Sequence, residues 1–350
     1  MAEAEPKTVV VTGGSAGIGR ATVREFARHG CNVAILARGQ DGLDAARDDV
    51  EELGGRALAI STDVADWMAV EAAADQVERE LGPIDIWVNN AFAGIFSRFV
   101  DVTPEEYERV TQVTYLGQVN GTRAALKRML PRDRGKIVLV GSALAYRGIP
   151  LQSAYCGAKH AIQGFLDSLR CELLHDKSNV TITMVQMPGV NTPQFDWIRA
   201  KLPGQPRPVG RVYQPEVAAR AIYAAAHDNR KEMLVGLPTV EAVWGNKVAS
   251  SLLDDYLAET GFKSQQRPER VSPDRKDNLF EPVAGDHGAR GSFDSEAVDS
   301  SAELWMTERK KQIGLAALGA AAVAGAGFML AGRSTGKKRQ AGRGSAKVRS

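Results

Sequence analysis

The sequence predicts an α/β fold in which buried parallel strands alternate with helices. Three observations predict it. Short apolar, β-branched runs recur between helical patterns from Lys7 to Gly236. The first run leads directly into a glycine-rich turn and then a helix. A later run, Lys136-Ile137-Val138-Leu139-Val140, is apolar without alternation, as in a strand covered on both faces.

Taken in order, the residues from Lys7 to Val11 form the first strand, followed by Thr12-Gly13-Gly14-Ser15-Ala16-Gly17-Ile18-Gly19 and a helical pattern that stops at Gly30. Strand, glycine turn and helix in that order predict a phosphate site. The glycines let the backbone approach a pyrophosphate, and the start of the helix supplies N–H groups and a positive dipole end. A plain surface turn is the competing reading. The second strand, Asn32 to Ala37, ends at Arg38. Dinucleotide folds place a carboxylate there, about 20 residues past the glycines, for the ribose 2′-OH of NAD. Here no carboxylate appears before Asp41. A guanidinium suits a 2′-phosphate, which favours NADP(H); a solvated arginine at a strand end is the alternative.

A helix from Asp41 to Leu53 and a strand from Arg56 to Ser61 lead to Asp63 and Val64. Asp63 is placed to accept from an adenine amine, or else to cap the helix that begins near Asp66. Ile84 to Asn89 is the fourth strand, and Asn89-Asn90 can brace neighbouring loops and the cofactor, or simply form a turn. Thr103-Pro104-Glu105-Glu106 is a helix start with an N-cap, Pro at N1 and a capping-box glutamate. That helix is expected to reach Met129. A strand ending at Val140, a helix from Ser153 to His175, a strand from Asn179 to Met187 broken by Pro188-Gly189, a helix from Pro215 to His227 and the run Glu232 to Gly236 complete the alternation. The Pro-rich, aromatic stretch from Val190 to Tyr213 reads as a lid over a ligand.

The chemistry concentrates between Ser142 and Lys159. Tyr155 and Lys159 are one turn apart on a single helix face. A free phenol, with a pKa near ~10, is a poor acid–base catalyst at neutral pH. A lysine cation close by favours the phenolate and lowers that value. Ser142 follows the strand end, where α/β folds open their ligand crevice. An ordinary surface Tyr–Lys pair is the competing reading, weakened by the glycine turn upstream.

Together the TGGSAGIG turn, Asp63, Asn89-Asn90-Ala91, Ser142 and Tyr155-Cys156-Gly157-Ala158-Lys159 resemble the classical short-chain dehydrogenase/reductase family over roughly residues 5–240. The resemblance implies a Rossmann-type, doubly wound sheet of about seven parallel strands flanked by helices, and an oxidoreductase that uses a nicotinamide dinucleotide. It implies that Ser142 polarises the substrate oxygen and Tyr155 exchanges its proton. Lys159 would lower the Tyr155 pKa and hold the nicotinamide ribose. The cofactor contacts carried over are Gly13, Ser15, Gly17, Ile18, Gly19, Arg38, Asp63, Val64, Asn90, Tyr155, Lys159 and Thr192, the last for the carboxamide. A homo-oligomer is also implied. Three departures stand out. Thr114 occupies the position of the usual catalytic asparagine, and Asn120, about 600° further round the helix, points elsewhere. Phe92 replaces a glycine, and the segment between Pro188-Gly189 and Thr192 is one residue short.

The expected organisation is a catalytic domain over 1–240, a helix and irregular strap over 241–300, and residues 301–350 with a basic tail. Residues 262–300 are rich in Asp, Arg, Pro, Gly and Ser and lack apolar periodicity, with Phe280 and Phe293 available to pack on the catalytic domain. The uncharged, alanine- and glycine-rich stretch 313–332 is long enough to cross a bilayer of about 30 Å but only marginally apolar. It reads as a membrane anchor, an interfacial or oligomer-contact helix, or a low-complexity tail.

Composition narrows the function. With 44 basic and 42 acidic residues, nothing global points to nucleic acid. Three cysteines without metal spacing suit reduced thiols, and Cys156 reads as a small buried hydrophobe. The first residues lack a basic n-region and an apolar core, so no secretory signal is expected and the catalytic part is expected to face the cytoplasm. The leading expectation is an NADP(H)-dependent enzyme that interconverts an alcohol and a ketone or aldehyde. Phe92, Phe96, Phe99, Phe195 and Trp197 suggest a lipophilic small-molecule substrate. The alternative is a catalytically impaired, NADP-binding membrane scaffold or redox sensor, for which Thr114 speaks.

Overall fold

The computed structural model describes residues 6–309 except Pro273, and the stretch 313–332 lies outside the described residues. Seven strands form one wholly parallel sheet: β1 (Thr8–Thr12), β2 (Asn32–Ala37), β3 (Ala57–Ser61), β4 (Ile84–Asn89), β5 (Lys136–Val140), β6 (Thr181–Gln186) and β7 (Glu232–Leu234). Their order across the sheet is β7-β6-β5-β4-β1-β2-β3.

Side chains alternate along each strand, so consecutive residues feed two separate cores. Val10, Leu36, Trp87, Leu139 and Met184 face one helical layer made by α3 (Trp67–Leu81), α4 (Pro104–Thr111), α5 (Gly117–Met129) and α6 (Ser153–His175). Val9, Val11, Ile35, Val88 and Val185 face the other, made by α1 (Gly17–Arg28), α2 (Gln40–Glu52) and α7 (Pro215–Ala226). Burial on both sides is why the central strands read as unbroken apolar runs. The chain changes layer after β3, through α3, and returns to lay β4 beside β1, so the sheet order reverses there and a crevice opens at the carboxyl ends of β1 and β4.

Most elements fall where the sequence places them. Thr103 forms the expected capping box with Glu106. The helix expected from there to Met129 is interrupted, however, by a π turn over Gln112–Leu116. Two contacts are associated with the wider turn. Thr114 is bonded to the loop after β4, and Gly117 packs so closely on Val64 that a Cβ would lie 2.6 Å from its Cγ2. Asp66 caps α3 by accepting from the amides of Met68 and Ala69, which corrects the capping role considered for Asp63.

The chain divides into two compact units, 1–304 and 305–350, and residues 241–300 lie inside the first. There α8 (Leu237–Ser264) bends at Ala249, and a strand at Gln266–Arg270 pairs antiparallel with Gly204–Pro206. Further on, Ala297–Val298 joins Val212–Tyr213, which in turn pairs with Gly189–Val190. Phe293 is buried as the sequence allows, whereas Phe280 stays exposed under the Arg199 guanidinium, 5.1 Å from its ring centre. No helix among the described residues is long and apolar enough to cross a membrane.

Close helix–sheet packing exposes a sensitive position. A Cβ on Gly121 would lie 2.1 Å from Asn89 Oδ1, which accepts a 2.9 Å bond from the Trp87 indole. Gly121→Ala should therefore destabilise the fold by about 1–3 kcal/mol, the usual range for overpacking. Urea denaturation followed by circular dichroism should show a lowered midpoint at similar slope.

Candidate active site

The crevice begins with the glycine turn. The Gly13 amide donates to Leu36 O (2.7 Å), tying the turn to β2. The Asn90 side-chain amide donates to Thr12 O (3.1 Å) and Gly13 O (3.2 Å), while Thr12 Oγ1 accepts from the amides of Asn90 and Ala91. Gly13 and Gly17 have φ of +66° and +59°, so both require glycine. On Gly19 a Cβ would sit 2.0 Å from Gly13 O. The turn is thus held open by glycines and braced by Asn90.

From this turn a cavity of about 590 Å³ runs to the Ser142–Lys159 segment. Ser15, Gly17, Ile18, Arg38, Asp63 and Val64 line it, as do Ser142, Tyr155, Lys159 and Thr192, and Thr192 lies beside Gly17, where a Cβ would stand 3.2 Å from its Cγ2. At the far end the Ser142 amide donates to Gln186 Oε1 (2.8 Å), fixing the residue just past β5. Gln186 in turn donates to Glu232, which also accepts from the Tyr146 hydroxyl (2.6 Å). The Lys159 ammonium, 2% exposed, donates to Val140 O (2.7 Å) and lies 5.5 Å from the centre of the Tyr155 ring.

Burial sets the protonation of this pair. It pushes the Tyr155 phenol well above its usual range, with the Ser142 hydroxyl bond pulling the other way. It lowers Lys159 to about 7. The expected arrangement, a lysine cation that lowers the phenol, is therefore corrected for this geometry. The hydrogen bond of Lys159 goes to the Val140 carbonyl, and Ser142 is the neighbour that favours phenolate. Near neutral pH the phenol keeps its proton, and the charged form of the amine is disfavoured.

Thr114 is also corrected. Its hydroxyl donates to Ala93 O (2.7 Å) and accepts from Ala93 N (2.9 Å), fully buried and away from the cavity wall. It shapes the loop that carries Phe92. Asn120 points away as expected, donating to Val64 O (2.9 Å). Phe92 meets Tyr155 edge-on at 5.8 Å and, with Phe96, Phe195 and Trp197, lines the cavity. Phe99 does not; it is exposed. Cys156 is buried, and burial raises its thiol.

The residues fit a nicotinamide dinucleotide. Thr192 Oγ1 is buried in the cavity wall without a partner, and the glycine turn offers a cradle that any Cβ would fill. Arg38 stands near Arg109, and this second cation together with burial destabilises its charged form, against the opposing pull of Asp63 and Glu281. Burial pushes the Asp63 carboxyl up, but bonds from Arg109 and the Ala65 amide outweigh it and hold the group below the usual range.

Three contributors escaped sequence reasoning. Arg109 sits in an amphipathic pattern where any surface arginine would look the same. Gln118, 1% exposed, shares Val140 O with Lys159 through Nε2, and its Oε1 has no partner. The third is the stretch around 278–287, which supplies part of the cavity wall. Its composition gave no signal, since its role comes from where it lies.

Residues 7–202 match the profile of the short chain dehydrogenase family. The chain belongs to this family. Among the family's members, an uncharacterized oxidoreductase, YxnA, of Bacillus subtilis is 31% identical over 80% of this chain and 80% of its own length. A 3-dehydrosphinganine reductase of Danio rerio is 32% identical over 61% of this chain and 66% of its own. Among solved structures, an alcohol dehydrogenase from the archaeon Thermococcus sibiricus, complexed with 5-hydroxy-NADP, superposes with a TM-score of 0.58 at 25% identity, covering 66% of this chain and 96% of that one. The chain is thus a short-chain dehydrogenase-type oxidoreductase with a Rossmann-type fold, extended beyond the matched segment.

The depressed lysine makes a prediction about stability. Its folded value of about 7 lies below the ordinary 10.5, so between these values the unfolded state binds more protons and stability rises with pH. Thermal melts from pH 7 to 10 should show the wild type gaining on Lys159→Met across that window. Parallel curves would place the lysine charge elsewhere.

Proposed function

We propose that this short-chain dehydrogenase is an NADP(H)-dependent oxidoreductase that interconverts an alcohol and a carbonyl on an apolar small molecule. One observation carries the reading: Arg38, the glycine turn and the Ser142–Tyr155–Lys159 group line a single cavity. Bound NADP(H) would supply the hydride donor or acceptor. Arg38 and Arg109 offer two close guanidiniums to a 2′-phosphate dianion, which relieves their mutual repulsion. Gly13, Ser15, Ile18 and Gly19 present the backbone to the pyrophosphate, while Gly17 shapes the turn and spends its N–H on Gly288 O. Asp63 and Val64 border the adenine, and Thr192 offers its unpartnered hydroxyl to the carboxamide.

The phenol of Tyr155, kept protonated by burial, delivers its proton to a carbonyl oxygen that Ser142 also contacts. Lys159, whose charged form burial disfavours, is placed to restore that proton and to bond the nicotinamide ribose. Phe92, Phe96 and Phe195 exclude water around the reacting carbon. An apolar substrate agrees with the name of one relative, a 3-dehydrosphinganine reductase.

The scaffold alternative gains nothing from Thr114, whose hydroxyl has a structural task independent of chemistry. Tyr155→Phe should reduce turnover at least 100-fold on any accepted carbonyl while leaving the NADPH dissociation constant within about threefold, read by NADPH absorbance and fluorescence titration. Unchanged turnover would remove Tyr155 from the reaction. Arg38→Asp should weaken NADPH by about 2 kcal/mol or more and NADH far less. Equal losses for both would rule out a 2′-phosphate contact.

A further inference from the structure

The proposed cofactor site has a wall that lies outside the matched family segment. Three consecutive carbonyls of the strap meet two arginines. Arg38 donates to Asn278 O and Phe280 O, and Arg109 donates to Leu279 O (3.1 Å). Beyond them the chain passes over the start of α1. Gly285 N donates to Asp41 (2.6 Å), Asp286 pairs with Arg20 (3.1 Å), and Gly288 O accepts from Gly17 N (3.0 Å). A void remains underneath. Asn278, Pro282, Gly285 and His287 border the same cavity as Ser15, Arg38 and Gly39.

The stretch is pinned at its ends and lightly held between them. Leu279 is fully buried in the main core, and Ala289 is buried against Ala21 and Ala219. Between these pins Phe280, Glu281, Pro282, Ala284, Gly285 and Asp286 are exposed. Gly285 and Gly288 have φ of +100° and +62°, conformations that glycine adopts freely. Few buried apolar contacts and several solvent-facing hydrogen bonds mark a segment of low local stability.

We propose that residues 280–288 are a clasp belonging to the dinucleotide site, which roofs its adenosine end and must lift for the cofactor to enter or leave. The inference rests on the NADP(H) reading above. Clasp and phosphate do not compete outright for Arg38. A guanidinium has five N–H donors, and the two strap carbonyls take two of them. The arginine can therefore hold the closed clasp and a 2′-phosphate together. Cofactor exchange is then set by clasp opening, and hydride transfer occurs beneath a closed roof.

A reversible lock tests this. A Cβ built on Gly39 lies 3.3 Å from Pro282 Cβ, close to the ~3.5–4.5 Å of disulfide-linked pairs. Gly39→Cys with Pro282→Cys should form that bond on oxidation, in a Cys171→Ser background that removes the exposed native thiol. Stopped-flow fluorescence of the full chain should show NADPH uptake at least tenfold slower in the oxidised protein than in the same protein reduced. Release should slow equally when oxidation follows binding. Identical rates in the two forms overturn the clasp. If the double variant does not fold, Asp286→Ala decides, because Arg20 keeps its Asp49 partner. Severalfold faster NADPH release supports the clasp, and an unchanged rate overturns it. A reduced protein that binds NADH in place of NADPH defeats the 2′-phosphate reading alone, and the oxidised-against-reduced comparison run with NADH still decides the clasp.

Discussion

Where the sheet reverses its order, β1 and β4 lie side by side and the loops that follow them must share one space. The Asn90 amide resolves that crowding by donating to two successive carbonyls, Thr12 and Gly13. Thr12 returns the favour by accepting from two amides of the β4 loop. Both loops are thereby fixed with the first turn of α1 facing the crevice. A side chain at Gly13 or Gly19 would collide with this arrangement, so the turn's glycines are a packing requirement before they are a ligand requirement. Every later feature of the site is measured from this brace.

The end of the cavity that holds Ser142, Tyr155 and Lys159 is built by a different device, the end of β5. Val140 O receives Lys159 and Gln118, and the next residues are fixed through Gln186 to a half-buried polar network that includes Glu232 and Tyr146. Burying an ammonium in a nearly dry place disfavours its charge, even with a strand carbonyl to accept its hydrogen bond. The same dryness keeps the phenol protonated. A pair assembled in this way resists ionisation of either member until charge develops nearby, as expected of groups that move a proton during a reaction.

Residues 271–300 show how an irregular segment becomes structural. They contain little apolar sequence, but they end in a parallel pairing with Val212–Tyr213 and are pinned on the way by Leu279, Ala289 and Phe293. Arg20, 2% exposed, gathers α1, Asp49 of α2 and Asp286 of the strap around one guanidinium. A fully buried cation needs such a set of acceptors, so the strap belongs with the fold that supplies the rest of them.

The sequence by itself determined the alternation of strands and helices, the glycine turn, and the helical spacing of Tyr155 and Lys159. Each depends on a local period or on an intrinsic backbone freedom that neighbouring residues already express. It also supplied Thr103 with its capping box, since a cap is satisfied within one turn. Tertiary structure alone decided that Thr114 bonds Ala93, that the π turn divides the fourth helix, that Lys159 bonds a carbonyl in a dry site, and that the strap roofs the cavity beside Arg38. These outcomes depend on partners 19 to 240 residues apart in sequence and on how much water is left around a charge. Neither has a period that can be read along the chain.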